Sequence, residues 1–241
     1  MVDGEERREQ TKKHLGGSIV TSISQKIRER LQREGVPFRA NDNIAEYIEP
    51  GEMDLLREEL EEKVRGVLDT LLIDVENDHN SNDTARRIAK MYLDEVFNGR
   101  YSTMPKATDF PNAKGLDDMM LVGPISVRST CSHHFAPVFG KLWVGVIPGE
   151  RVIGLSKFSR LCRWVMERPQ IQEEAVMQLA DVLEDIMKPK GLAIVMKASH
   201  SCTTWRGVKE MDSLMTTSVM RGKFREDEAL RRDFLNQVNA Q

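Results

Sequence analysis

The hydrophobic periodicity of this chain changes once, near residue 117, and this change constrains the fold more than any other feature. Before it, apolar residues recur at the 3.6-residue spacing of helices in two segments, residues 55–72 and 84–99. After it, strand-like runs alternate with amphipathic helical segments. A chain that begins with helices and then mixes strands with helices is predicted to be an α+β protein.

The second part of the chain contains four predicted strands and three predicted helices. Turn-forming residues bound the apolar runs, and Pro169 separates the first two helical segments. The strands are predicted over residues 117–130, 140–155, 191–200 and 214–220, and the helices over 156–168, 170–188 and 226–238. Before residue 51, a charged segment (1–17) is predicted to be disordered, a helix is predicted over 18–34, and a loop over 35–52.

Charge and cysteine content narrow the class of protein. The formal net charge of −3 over 241 residues gives no general attraction to nucleic acid or to a membrane surface. No apolar run approaches the roughly 20 residues of a membrane span, and the charged N-terminus lacks the apolar core of a secretory signal. Three cysteines do not make a disulfide framework. We therefore expect a cytoplasmic protein with reduced thiols.

Two short motifs carry most of the metal-binding chemistry. In STCSHHF, residues 129–135, Cys131 and His134 can meet at one point in a turn, whereas Cys131 and His133 share a face in an extended strand. Spacing alone leaves both pairings open. A Cys–His pair by itself is more often a buried thiol near two surface histidines than a metal site.

The downstream motif ASHSCTTWRG, residues 198–207, favours a metal site. His200 and Cys202 follow an apolar strand, and ends of strands are common positions for functional side chains. Adding Cys202 makes two thiolates and one imidazole, a soft donor set that suits zinc. Three protein ligands leave a fourth position open, which is typical of a catalytic zinc. Two histidines then remain for other chemistry.

The motif set resembles the GTP cyclohydrolase I family. STCSHHF, GLSKFSRL, RPQIQEE, SHSCTTWRGV and MTTSVMRGKF occur in the family's order and spacing, and TARRIAKMYLDEVFNG resembles its helix before the sheet. The resemblance covers roughly residues 52–236. It implies the tunnelling fold, in which an antiparallel sheet carries helices on one face, is preceded by N-terminal helices and assembles into a toroidal homodecamer. It also implies conversion of GTP and water to 7,8-dihydroneopterin triphosphate and formate, a first step toward folate, pterin or 7-deazaguanine products.

The resemblance also implies a domain division and a ligand set. Residues 1–50 form an N-terminal extension, and residues 51–241 form the catalytic domain, helical over 51–115 and tunnelling-fold over 116–241. The family pattern assigns zinc to Cys131, His134 and Cys202. It leaves His200 to protonate the purine ring and His133 to serve later proton transfers, for which an imidazole is suited near neutral pH.

The substrate-binding residues are likewise carried over from the family. A carboxylate can accept two hydrogen bonds from the N1–H and N2–H₂ edge of guanine, and the resemblance places Glu173 there with Gln172 beside it. Cations and a helix N-terminus suit the triphosphate. The residues expected to contact it are Lys90, Ser156, Lys157, Arg160 and Arg206. Each of these alone is more often a solvated surface group, and Lys90 also fits an exposed helix face.

Two alternatives to this enzyme remain at this stage. One is another tunnelling-fold enzyme of pterin or deazaguanine metabolism, such as a nitrile reductase, which uses a catalytic cysteine and no zinc triad. The other is a module in which zinc only stabilises the fold. The pairing of three metal ligands with two free histidines argues against both. Cys162, at helical spacing with apolar neighbours, is predicted to be a core residue.

Overall fold

The computed structural model describes residues 21–241, so the predicted disordered segment 1–17 and the start of the first predicted helix lie outside the described residues. The upstream part is helical, as predicted. Its elements are α1 (Ile23–Arg33), a 3₁₀ turn (Ala45–Tyr47), α2 (Glu52–Thr70), α3 (Thr84–Lys90), a π-helical continuation of α3 (Met91–Val96), and α4 (Asn98–Tyr101).

The downstream part is built around a five-stranded sheet. The chain runs through β1 (Asp109–Pro111), β2 (Met120–Cys131), β3 (Pro137–Ile147), β4 (Arg151–Ile153), α5 (Leu155–Met166), β5 (Pro169–Gln170), α6 (Gln172–Met187), β6 (Gly191–His200), α7 (Ser201–Thr204), β7 (Met215–Gly222), α8 (Lys223–Glu226) and α9 (Glu228–Asn239). The strand order is β5-β2-β3-β6-β7. All neighbours are antiparallel except β5, which pairs with β2 in parallel.

These elements confirm the α+β class and most of the predicted segments. β6 has the predicted bounds, and the long helices α5, α6 and α9 lie within two residues of theirs. The predicted strand over 140–155 is instead two strands, since β3 ends at Ile147 and β4 pairs with β1 in a separate small sheet. The short β1 and β5 had no apolar pattern long enough to predict them.

The expectation that helices cover one face of the sheet needs correction, because helices cover both faces. Alternate residues of β3 and β6 point to opposite sides. One set packs with α5 and α6, and the other set packs with Phe224 and Phe234 of α8 and α9. β3 and β6 are apolar on both faces, so exposing the second face would leave Trp143, Ile147 and Val195 in water. The closing helix buries them.

The segment before residue 51 is attached to the remainder of the chain by side-chain-to-carbonyl hydrogen bonds. Arg100 donates to the carbonyls of Phe38 and Asp42, and Arg168 donates to the carbonyl of Asn41. The amide of Asn43 donates to the carbonyls of Gly99 and Ser102. The predicted loop over 35–52 therefore follows a defined path across α4 and the start of β5.

A nearly buried ion pair links α1 to α2 and makes a testable contribution to stability. Arg30 donates to both oxygens of Glu52, at 2.7 and 2.8 Å, and also to the carbonyl of Tyr47. We expect Glu52→Gln to reduce the free energy of unfolding by about 1–2 kcal/mol at neutral pH, because Arg30 would keep only the exposed Glu49 as a carboxylate partner. Urea unfolding measures this, and Glu62→Gln, an exposed position on the same helix, should cost nearly nothing. Equal losses in the two variants would contradict it.

The same pair predicts the direction of a pH effect. The hydrogen bond from Arg30 lowers the pKa of Glu52, and partial burial opposes this. Because the folded-state pKa lies below the unfolded value of about 4.3, the contribution is present above that pH. It is lost as the pH falls through the folded-state pKa. The stability difference between the unaltered protein and Glu52→Gln should therefore shrink in acid.

Among residues 21–241, no helix combines the length and apolar character that crossing a bilayer requires.

Candidate metal centre and active site

The two metal-binding motifs meet at one edge of the sheet. β2 ends at Cys131 and β6 ends at His200, while β3 begins between them. The register pairs Thr130 with Pro137 and Val138 with His200 across β3. The short helix α7 begins immediately after β6 and carries Cys202. Antiparallel pairing thus brings together side chains that are about seventy residues apart in the sequence.

Cys131, His134 and Cys202 converge as a possible metal centre. One ligand atom from each lies within 4.8 Å of the other two. Cys131 is buried, Cys202 is half-buried and His134 is exposed. A tetrahedral zinc with Zn–S bonds of about 2.3 Å places its ligand atoms roughly 3.5–3.8 Å apart. The three side chains therefore fit a zinc ion if the distances between their ligand atoms shorten by up to about 1 Å. Their donor chemistry also suits zinc.

The turn after β2 decides between the two adjacent histidines. Phe135 donates its N–H to the carbonyl of Cys131 at 2.9 Å, and Cys131 donates to the carbonyl of Ala136 at 2.9 Å. This tight turn places His134 in the cluster with both cysteines. His133 contacts Cys131 instead, with 3.6 Å between Nδ1 and Sγ. The i, i+3 pairing is the one that the structure brings together with Cys202.

The thiols of the chain have different surroundings. Burial and a hydrogen bond with Cys131 raise the pKa of Cys202, and the Arg206 guanidinium partly opposes this shift. A bound cation would favour the thiolate forms of both cysteines, because only the thiolate is a good metal ligand. Burial alone raises the pKa of Cys162 to about 12. Cys162 lies in the core between α5 and the sheet, as predicted.

His200 lies beside the metal centre in a half-buried position. Its Nε2 is 2.8 Å from Oε1 of Gln172, the first residue of α6. Burial lowers the pKa of His200, and the nearby Glu173 carboxylate opposes this shift. A lowered pKa favours a neutral imidazole that can both take and give a proton near neutral pH.

Glu173 and Glu174 differ in their availability to a ligand. Glu173 is exposed and makes no ion pair or side-chain hydrogen bond with any residue from 21 to 241. Glu174 accepts a hydrogen bond from the Asn41 amide at 2.7 Å. Only Glu173 therefore presents a carboxylate that is not already engaged, next to His200.

Arg206 also lies beside the centre. Its guanidinium is 3.0 Å from Nε2 of His134, and the side chain is exposed. α7 and the residues that follow it thus place a cation beside a possible metal ligand. This position is consistent with the predicted contact between Arg206 and an anionic substrate.

The remaining predicted phosphate ligands lie elsewhere in the chain. Ser156, Lys157 and Arg160 are in the first half of α5, which begins beyond the far end of β3 and returns to β5 beside Cys131. The 12 residues of α5 span about 18 Å along the axis. Lys157 donates to the carbonyl of Lys106 at 2.9 Å. These three residues are therefore displaced from the metal centre of their own chain.

Lys90 is also separate from the metal centre. It ends α3 and lines a cleft with Arg86 and with residues of α2 that include Arg57 and Glu61. The neighbouring Arg87 lies 3.7 Å from Asp83. The structure places no residue of the metal centre in this cleft.

Sequence reasoning missed two features of the site. Thr217, in a segment predicted only as a strand, bonds with Gln172 behind His200. Phe135 has a positive φ of 49° and packs its ring against Tyr92 and Phe97, which fixes the turn that carries His134. The alternation of the strand could have suggested an inward-facing Thr217. No local sequence signal indicates the aromatic contacts, because they join residues about forty positions apart.

Comparisons with known proteins agree with this geometry. The family model described as GTP cyclohydrolase I matches residues 60–239. GTP cyclohydrolase 1 of Haemophilus ducreyi is 36% identical over 223 residues, covering 92% of this chain and 99% of the relative. GTP cyclohydrolase 1 of Aliivibrio salmonicida is 39% identical over 183 residues, covering 76% of this chain and 84% of the relative.

A solved structure gives a much weaker match. The archaeosine synthase QueF-Like in its apo form aligns with a TM-score of 0.34 and 12% identity, covering 50% of this chain and 97% of that chain. A score this low carries no argument about the fold or the function of this chain.

Proposed function

The chain belongs to the GTP cyclohydrolase I family and has its enzymatic activity, and we propose that Cys131, His134 and Cys202 hold a zinc ion at the centre of its active site. The reaction converts GTP and water to 7,8-dihydroneopterin triphosphate and formate. The observation that carries the proposal is the convergence of these three ligand atoms within 4.8 Å, beside His200 and the exposed Glu173 carboxylate. When bound, zinc supplies Lewis-acid activation of water near neutral pH.

The chain's own residues bind and orient the guanine. Glu173 is suited to accept hydrogen bonds from the N1–H and N2–H₂ groups, since a carboxylate can accept both. It follows the first residue of α6, so its carboxylate also lies at a helix N-terminus, where a negative charge is favourable. The resulting pose would direct the opposite, imidazole edge of the purine toward His200 and the metal ligands.

Proton transfer is assigned to the two histidines that are not metal ligands. His200 would protonate the purine ring as water adds at C8, since an imidazole can donate and recover a proton near neutral pH. His133, exposed in the turn after β2, would serve the later proton transfers that accompany ribose rearrangement and ring closure. Its contact with Cys131 supports this assignment.

Turnover and metal content of the purified protein test this function together. Incubation with GTP should release formate and produce absorbance beyond the range of guanine, and both should require one zinc per chain. A protein that binds zinc without changing GTP would instead be a zinc-stabilised module. A protein without zinc that turned GTP over would refute the metal assignment.

We also propose that each active site is shared between chains of a homo-oligomer. Ser156, Lys157 and Arg160 are displaced along α5 from the metal centre, and Lys90 lines a separate cleft. A neighbouring chain can supply these cations to the triphosphate only in an assembly.

α2 and the residues after it carry exposed apolar side chains, Leu55, Val67, Leu71 and Leu72, which is typical of a surface covered by a partner. A toroidal decamer in the cytoplasm, where thiols stay reduced, is the assembly and setting that the family resemblance suggests.

Mixed oligomers provide a direct test of shared sites. Assayed at a GTP concentration well below the KM of the unaltered enzyme, His200→Ala and the double variant Lys157→Ala/Arg160→Ala should each be nearly inactive alone. Coexpressed in equal amounts, they should recover activity toward about a quarter of the unaltered level. In a shared site, one chain supplies the metal ligands and His200, and a neighbouring chain supplies Lys157 and Arg160. Random assembly would make both contributions intact in about a quarter of the sites. Coexpressed His200→Ala and Cys202→Ala, which damage the same half, should recover none. No recovery in the first pair, despite mixed oligomers, would mean that each site lies within one chain.

A further inference from the structure

The side-chain amide of Gln172 is enclosed by groups that decide its orientation. Gln172 is only 4% exposed. Its Nε2 lies 3.3 Å from the carbonyl of Met196, 3.2 Å from the carbonyl of Met215 and 3.0 Å from the hydroxyl of Thr217. Two of these three neighbours are main-chain carbonyls, which can only accept hydrogen bonds. The nitrogen of the amide must therefore face them, and the amide oxygen must face the other way.

The amide oxygen in turn decides which nitrogen of His200 carries hydrogen. Oε1 of Gln172 lies 2.8 Å from Nε2 of His200, a normal hydrogen-bond distance. Since an amide oxygen only accepts, Nε2 must donate. The neutral imidazole of His200 is thus the tautomer with hydrogen on Nε2 and a lone pair on Nδ1. Within residues 21–241, Nδ1 makes no hydrogen bond.

We propose that Gln172 is a positioning residue that holds the His200 ring in one orientation and in its Nε2–H tautomer, which leaves Nδ1 as the ring nitrogen without a hydrogen. This inference rests on the proposed function for the role of His200 in turnover. The hydrogen bond from Nε2 to Gln172 does not depend on the protonation of Nδ1, because Nε2 carries hydrogen in this tautomer and in the imidazolium alike. Gln172 neither gains nor loses a proton.

The surroundings of Gln172 favour positioning over direct contact with the guanine. All of its hydrogen-bonding directions toward β6, β7 and His200 are occupied, and the side chain is buried. Turning the amide toward a ligand would break its hydrogen bonds to the carbonyls of Met196 and Met215 and to the imidazole, which is costly for a buried side chain. The neighbouring Glu173 has no such engagement and is exposed. The two residues that begin α6 therefore have separate tasks.

The tautomer can be measured without any substrate. Nitrogen-15 NMR of the zinc-loaded protein, labelled at histidine, distinguishes protonated from unprotonated ring nitrogens at about pH 8, where an ordinary histidine is neutral. The His200 signals are assigned by their loss in His200→Ala. We expect hydrogen on Nε2 and none on Nδ1. The opposite tautomer, or an equal mixture, would overturn the proposal.

Kinetics of a matched pair of variants tests the consequence for turnover. Gln172→Met removes the hydrogen bond to His200. Gln170→Met is the control, since Gln170 is equally buried at 4% and also donates to main-chain carbonyls but does not touch His200. We expect Gln172→Met to lower kcat by roughly 10- to 100-fold with zinc retained and KM little changed. Gln170→Met should keep kcat within a few-fold.

Each other outcome of the kinetic test has a definite meaning. A rise in KM with kcat unchanged would overturn the proposal, because it would show that Gln172 binds substrate directly. Equal losses of kcat in the two variants, tracking their thermal stability, would show a structural role only and would also overturn it. If the unaltered protein did not turn GTP over at all, the proposed function would fail. The NMR measurement would then still decide whether Gln172 sets the tautomer of His200.

Discussion

Replacing Cys202 with alanine is expected to remove zinc and GTP turnover together. Among residues 21–241, Cys202 is one of the three residues grouped as candidate ligands, and its Sγ is part of the cluster within 4.8 Å. Losing it leaves Cys131 and His134, too few protein ligands for a stable zinc site. A catalytic metal contributes several kcal/mol to the transition state, and about 1.4 kcal/mol corresponds to tenfold in rate. We therefore expect activity to fall by at least about a thousand-fold, measured as GTP turnover alongside zinc content.

Cys162→Ala is the matched control for this prediction. Cys162 is also a cysteine and is almost fully buried; it belongs to the same apolar core as Cys131 but is not one of the three clustered ligands. Its replacement should cost some stability but leave zinc and kcat close to those of the unaltered protein. His133→Ala should also keep its zinc, because His134 is the histidine in the cluster. Full zinc occupancy in Cys202→Ala, or zinc loss in His133→Ala, would show that the ligand set is wrong.

His200→Ala and Arg206→Ala are expected to damage different steps. His200 is proposed to move a proton, so its loss should lower kcat by about a hundred-fold or more while zinc and GTP binding persist. Arg206 is an exposed cation beside His134 and is proposed to hold the triphosphate. A contact that is equally strong in the ground and transition states appears mainly in KM. Arg206→Ala should therefore raise KM for GTP far more than it lowers kcat.

Guanosine separates the two roles further. It lacks phosphates, so it should be a poor substrate of the unaltered enzyme and should lose little more when Arg206 is replaced. His200→Ala should impair guanosine and GTP alike. Steady-state kinetics on both substrates, with zinc measured in every variant, provides the comparison. Loss of zinc in His200→Ala, or an unchanged KM for GTP in Arg206→Ala, would require new roles for the residues around Cys202.

Local patterns predicted the elements that carry the site with good accuracy. The apolar run ending at His200 is β6 with the predicted bounds, and α6 starts two residues after its predicted beginning. These elements satisfy their backbone hydrogen bonds locally or with adjacent strands, and their apolar residues recur at fixed periods. Periodicity did not show that α9 covers the second face of the sheet. A strand that is apolar on both faces indicates that both are buried, but it does not indicate which element covers which face.

The amino-acid sequence by itself determined the chemistry of this protein: two cysteines, three histidines, a carboxylate and several cations in motifs typical of one family. Residue spacing left His133 and His134 open, and the family pattern favoured His134; the tertiary structure brings His134 together with both cysteines. Only the tertiary structure turned the Gln172 amide toward His200 and set Lys90 and the start of α5 apart from the metal centre. The physical reason is that residue type and spacing specify which groups a chain offers. Which groups meet depends on turn geometry, strand register and packing between segments that are far apart in the chain.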